Sequence, residues 1–224
     1  MKRTFFSLAL LLAVATLTAQ TKMTAREAAV KIADRILAST TYEFKNTKTG
    51  EIYKSVKKLP LDMDVKVACK YNNWHYTNGV TNMALMELGD KLGDKKYEKY
   101  VLKNMNFVFN EGNLDFFRKQ YDEAFKRDGW NAVRKLSWHM IFRGKRLDDN
   151  GPMGASLIEL QLKYPNDSFL GYINETAEHL NYGEPRLVDG TIARIWPHVN
   201  TIWADDAFMA ISFLARMGLS LIHI

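Results

Sequence analysis

The chain has a single cysteine, Cys69, and only five histidines among its 224 residues. One cysteine excludes an internal disulfide, so packing alone has to hold the fold. With no Cys/His signature around it, Cys69 reads as a small buried residue rather than a nucleophile. The histidines are scattered without metal-ligand spacing, so no metal and no cofactor is expected. A phosphate-binding loop and a serine–histidine–aspartate arrangement are both lacking. Low-complexity tracts are lacking too, and the net charge of +6 is spread along the chain rather than massed in a basic block. That pattern gives no reason to expect nucleic acid; it suits an anionic ligand, and it is also what a solvated surface carries. What is present is the composition of one ordinary globular domain, 47% hydrophobic.

Both ends stand apart from that domain. Lys2 and Arg3 precede an apolar run from Phe5 to Leu17 that closes on Leu17-Thr18-Ala19, the pattern of a secretory signal peptide over residues 1–19. The run is too short to span a bilayer, and Gln20 rather than cysteine follows the cleavage point, so no stable membrane anchor is expected. A periplasmic or secreted protein is the corollary. Leu219-Ser220-Leu221-Ile222-His223-Ile224 is what the transposon-end adapter CTGTCTCTTATACACATC encodes. Residues 219–224 are therefore expected to be adapter translation, and 20–218 to be the N-terminal part of a single catalytic domain.

Between the ends the pattern is helical. Thr24-Ala25-Arg26-Glu27 is a capping box, followed by an apolar face of Ala29, Ile32, Ala33, Ile36 and Leu37. Residues 41–71 mix Lys, Thr, Gly50 and Pro60 with short apolar pieces and read as a long connection holding a hairpin. From Gly79 to Gly93 the apolar spacing predicts a helix, and Asp94 starts its return partner. Residues 115–142 add helical material whose Phe116, Tyr121, Phe125, Trp130 and Trp138 are expected in the core. A second hairpin pairs 153–162 with 169–180 across Pro165-Asn166, 182–202 is a loop with short extended pieces, and a third hairpin begins at Asp205. Three hairpins of similar plan argue for an all-α array of paired helices.

Two helix starts are acidic, Asp148-Asp149 and Asp205-Asp206. Locally such pairs are explained by capping and by the helix dipole. Four motifs in order change the weight of that explanation: Trp74-His75-Tyr76-Thr77-Asn78-Gly79-Val80, Leu147-Asp148-Asp149-Asn150-Gly151-Pro152-Met153-Gly154, Asp189-Gly190-Thr191-Ile192-Ala193-Arg194 and Trp203-Ala204-Asp205-Asp206-Ala207-Phe208-Met209. Together they resemble the unsaturated rhamnogalacturonyl hydrolases, glycoside hydrolase family 105, with the unsaturated glucuronyl hydrolases of family 88 as the nearest alternative.

The resemblance implies an (α/α)6 barrel, a toroid of helical hairpins of which this chain holds about the first half, so that apolar faces stay bare and the chain as it stands is inactive or aggregates. It implies as partner an oligosaccharide ending in an unsaturated uronic acid left by a lyase. Protonation at C4 and attack of water at C5 give a hemiketal that opens and releases the next sugar. Asp205 takes the acid/base role, Asp149 that of second acid, and Asp206 and Asp148 hold the helix starts. Trp203 and Tyr76 wall the sugar subsite, Arg194 pairs with the uronate carboxylate, and His75 and His198 are further polar contacts. Trp74 fits a core position better than a subsite. A noncatalytic helical sugar-binding protein and an α/α-barrel glycosidase acting on saturated uronides remain as alternatives. Oligomeric state is not encoded in any feature of the sequence.

Overall fold

A computed structural model describes residues 23–222 apart from 145 and 195. The signal-peptide segment 1–19 and the last two residues lie outside the described residues. Eight α-helices dominate what is described, so the chain is all-α, with one small sheet. Among the described residues no helix is long and apolar enough to cross a membrane.

Helix α1 (Ala25–Ser39) begins on the expected capping box. The Thr24 amide donates to Glu27 Oε2 at 2.8 Å and the Glu27 amide donates to Thr24 Oγ1 at 3.2 Å. The Thr24 amide and the Thr24 hydroxyl, which donates to the same oxygen at 2.9 Å, hold the Glu27 carboxyl below its ordinary range. The boundary between two units of the chain falls within α1, at Arg35 and Ile36; everything below concerns the second.

The expected hairpin is a three-stranded antiparallel sheet, β1 (Phe44–Asn46), β2 (Ile52–Tyr53) and β3 (Val65–Val67), in the order β2-β1-β3. Phe44 faces Tyr53 on one side and Val67 on the other. The β1–β2 turn is set by Asn46, whose side-chain oxygen accepts from the Lys48 and Thr49 amides, and by Gly50 at φ +78°. Phe44, Val65 and Val67 are buried, and Phe44 meets Phe107, Phe116 and Phe117. Cys69, just past β3, is only partly buried and its Sγ lies 3.7 Å from the Ser39 carbonyl. It is therefore not the core residue expected.

Helix α2 (Tyr76–Leu92) starts three residues before the expected position, because His75 caps it by accepting from the Thr77 amide. It ends on Gly93 in the left-handed conformation, φ +66°. Helix α3 (Lys96–Val108) returns beside it. Helix α4 (Glu111–Val133) is broken at Asp128–Gly129, where Gly129 has φ +51°, and a short α5 (His139–Arg143) follows. Trp74, Phe109, Phe169, Tyr172 and Trp138 form the aromatic centre, with Trp74 and Tyr172 edge-to-face at 4.8 Å.

Helix α6 (Leu147–Lys163) is buried nearly all round, packed against α2, α7 (Asp167–Glu178) and α8 (Ala204–Ile222). It starts at the acidic pair, with Pro152 inside it, and the apolar stretch read from Met153 is its continuation. Close backbone approach requires its glycines: a Cβ on Gly151 would collide with the Met209 carbonyl of α8, and one on Gly79 of α2 would lie 2.5 Å from the Met153 amide. Helix α8 buries Met209, Ala210 and Phe213 and exposes Phe208, Ile211 and Leu214.

Candidate active site

The first turns of α6 and α8 carry the two acidic pairs, and one arginine joins them. Arg194 enters from the loop after α7, where Arg194 and Thr201 form an isolated antiparallel bridge. Its guanidinium donates to both carboxylate oxygens of Asp206, at 2.5 and 2.6 Å, and its Nη2 stands 3.8 Å from Asp148 Oδ1. It also lies over the Trp203 ring, 4.1 Å from the centroid. Asp206 accepts in addition from the Trp203 amide at 3.3 Å, the return bond of a capping box. Asp206 is thus buried and fully used in fixing the start of α8, while its neighbour Asp205 is exposed on the first turn.

In the other pair the structure divides the roles differently from the expectation. Asp149 is fully buried, and Arg143 donates to both its oxygens, Nε to Oδ2 at 2.6 Å and Nη2 to Oδ1. The Asp149 carbonyl accepts from Trp74 Nε1 at 2.8 Å, which makes Trp74 part of the frame. Asp148, expected to hold the helix, is the one that reaches open space. Partial burial raises its pKa; Arg194 opposes the shift, and Asp206, Asp149 and Asp205 reinforce it. Its carboxyl thus holds a proton more readily than an ordinary exposed aspartate does.

That open space is a cavity of about 900 Å³. Asp148, Asp206 and Arg194 form part of its wall, together with Arg143 and Arg146. Tyr121, Phe125 and Trp130 line it as well, although the sequence placed them in the core; Phe116 and Trp138 are in the core as expected. The break at Gly129 explains the difference for Trp130, because an uninterrupted helix would have carried it along another face. Trp196, His179 and Glu184 complete the polar and aromatic lining. His179 forms a π turn with Leu180–Gly183 and its Nε2 lies 3.0 Å from Glu184 Oε1. Burial raises the Glu184 carboxyl, and the bond to His179 works against it.

Of the residues singled out in the sequence, Arg194 lines the cavity, and Asp149 anchors Arg143 in its wall. Trp203 and Asp205 are not among the lining residues: Trp203 is joined to the wall through Arg194, and Asp205 is next to Asp206 at the same helix start. Tyr76 is not among the lining residues; its ring rests beside the His75 ring at 4.5 Å. His75 is held below its ordinary pKa by burial, against the pull of Asp148 and Asp149. His198 is exposed and offers its carbonyl to Thr201. Sequence reasoning did not find Arg143, Arg146, Trp196, His179 or Glu184, since nothing in helical spacing links them to the acidic pairs. Among the described residues no group of His, Cys, Asp or Glu is arranged to hold a metal ion.

An aromatic-walled cavity edged by carboxylates and arginines is suited to a polar, ring-shaped ligand bearing a negative charge, and to proton transfer at its rim. No curated protein matches the chain. A family model does match, described as Glycosyl Hydrolase Family 88, over residues 54–221. The match takes in both acidic helix starts, the linking arginine and every residue of the cavity wall. With well over half of its length covered, the chain belongs to glycosyl hydrolase family 88, and its domain is that of a glycoside hydrolase.

Proposed function

We propose that the cavity receives the unsaturated uronic acid at the non-reducing end of a lyase product, and that the activity is of the unsaturated rhamnogalacturonyl hydrolase type, family 105, in pectin breakdown. The observation that carries this reading is the bridge through Arg194, which links the two acidic helix starts at one edge of an aromatic cavity. Hydration of a vinyl ether needs one carboxyl that gives a proton to C4 and then takes one from the water entering at C5. Asp205 fits that duty because Asp206 beside it absorbs the structural work of capping and of pairing with Arg194. Asp149 supports the second acidic position by holding Arg143, with Asp148 as the carboxyl presented to the ligand. The hemiketal formed at C5 opens, and the remaining sugar leaves.

A second reading exchanges the roles and makes Asp148 the proton donor; its place in the cavity wall and its raised pKa favour it. One assay separates the two. The full-length enzyme is incubated with unsaturated galacturonyl-rhamnose and, separately, an unsaturated glucuronyl disaccharide, and loss of double-bond absorbance is followed. Asp205→Asn is expected to lower turnover by at least about 10²-fold with unchanged circular dichroism. Near-normal turnover in that variant refutes the Asp205 assignment, and its abolition in Asp148→Asn instead supports the second reading. Faster loss of the glucuronyl substrate would move the activity to the family 88 type, and persistence of the double bond while sugar binds would reject hydration altogether.

A further inference from the structure

The cavity wall contains three arginines, each stacked over a different tryptophan: Arg143 with Trp130 at 5.1 Å, Arg194 with Trp203 at 4.1 Å and Arg146 with Trp196 at 4.9 Å from guanidinium carbon to ring centroid. Two of the three have their donor edges occupied. Arg143 grips both oxygens of Asp149, and Arg194 grips both oxygens of Asp206. Arg194 has its Nε–Nη2 edge committed to a buried aspartate, so only its Nη1 side is left for a uronate carboxylate.

Arg146 differs. It is exposed, it lines the cavity, and among the described residues no carboxylate stands within ion-pair distance of it. Its backbone is fixed independently of its side chain: it is the extended residue before α6, φ −138° and ψ 149°, and its carbonyl accepts from the Asp149 amide at 2.9 Å. Its guanidinium carbon lies over the Trp196 ring, 4.9 Å from the centroid, and none of its N–H groups is tied to a carboxylate among the described residues. A planar fork of N–H donors is left for a planar anion. In a 4,5-unsaturated uronate the carboxylate is conjugated with the C4–C5 double bond and is held in the plane of that bond.

Resting on the function proposed above, we infer that Arg146, backed by Trp196, is the residue that receives the uronate carboxylate and sets the preference for a charged over an esterified sugar. Bidentate donation from the fork to the carboxylate orients the conjugated system and aims C4 and C5 toward the acidic helix starts. The position assigned to Arg194 in the sequence thus passes to the residue just before a different motif.

The test compares binding, by calorimetry, of an unsaturated uronyl disaccharide and its methyl ester to the full chain and to Arg146→Ala, Arg146→Lys and Arg146→Gln. Wild type should prefer the acid, and the acid-over-ester ratio should fall by about 10- to 100-fold in Arg146→Ala and Arg146→Gln. Arg146→Lys should keep part of it, having charge without the fork. An unchanged ratio, an equal weakening of acid and ester, or no preference in wild type would each overturn the assignment. Turnover is scored separately: a ligand that binds with the expected ratio but keeps its double bond defeats the hydrolase reading and leaves Arg146 in place. Turnover with a ratio indifferent to residue 146 defeats only Arg146.

Discussion

Replacing Arg143 by alanine should be among the most damaging single changes near the cavity. Asp149 is fully buried, and both its oxygens take their side-chain hydrogen bonds from that one guanidinium, which is itself only 14% exposed. Removal of one partner of a buried pair leaves a charge without compensation and costs about 3–5 kcal/mol. Loss of the stack on Trp130 adds about 0.5–1 kcal/mol. Against a total stability of about 5–15 kcal/mol, this is about a quarter of the whole or more. In urea, with a slope of about 2 kcal/mol per M, the unfolding midpoint should fall by about 2 M. The informative experiment is a double-mutant cycle with Asp149→Asn, in which the double variant should be clearly more stable than the sum of the single losses requires. Lys126→Ala, which breaks an exposed pair with Glu123, should leave the midpoint where it is. A coupling below about 1 kcal/mol, or a midpoint for Arg143→Ala within about 0.3 M of wild type, would refute the reasoning.

Two glycines predict opposite outcomes. Gly151→Ala sets a methyl group against the Met209 carbonyl and should cost about 1–3 kcal/mol or more, with a fall in turnover because α6 and α8 must separate. Gly171→Ala, at an exposed position mid-way along α7 with nothing within 4 Å of the new carbon, should stabilise by about 0.5–1 kcal/mol; parallel thermal melts of the two variants decide. Glu98 accepts from Lys163 at 2.5 Å and from Tyr164 at 2.6 Å, bonds that hold its carboxyl low, while Glu98 in turn raises Lys163. A depressed acid stabilises above its unfolded pKa and stops doing so as pH falls through its folded one; a raised lysine stabilises below its unfolded pKa and stops as pH rises through its folded one. The stability gap between wild type and Glu98→Gln should therefore be flat from about pH 5 to pH 10 and close on both sides. A gap that persists at pH 2 in urea titrations would contradict this.

The helices were legible where local chemistry decides them. The Thr24–Glu27 box, the Gly93 terminus and the Asn166 cap, which accepts from the Ser168 and Phe169 amides, are short-range signals written in consecutive residues. Asp148-Asp149 marks the start of α6, while the apolar stretch reads only from Met153, because Pro152 interrupts the helical pattern. Strands of two and three residues are too short for an alternating pattern, so the sheet looked like a connection. At the site, the meeting of the two acidic helix starts was readable, because both belong to motifs of one family. The division of labour inside each pair was not. It depends on Arg143 and Arg194, six and twelve residues away from Asp149 and Asp206 across irregular chain, where no periodicity relates donor to acceptor.

The contact at Gly151 has a bearing on how the site tolerates change. Where helices meet through side chains, their spacing drifts with every rotamer and every substitution in the core. Here main chain meets main chain, α6 against the Met209 carbonyl of α8, three residues from Asp148 and three from Asp206. The interval between the two acidic ends is thus gauged by backbone thickness, the one dimension of a protein that mutation of neighbouring side chains cannot alter. The aromatic wall can be rebuilt for another sugar while the carboxylates keep their separation.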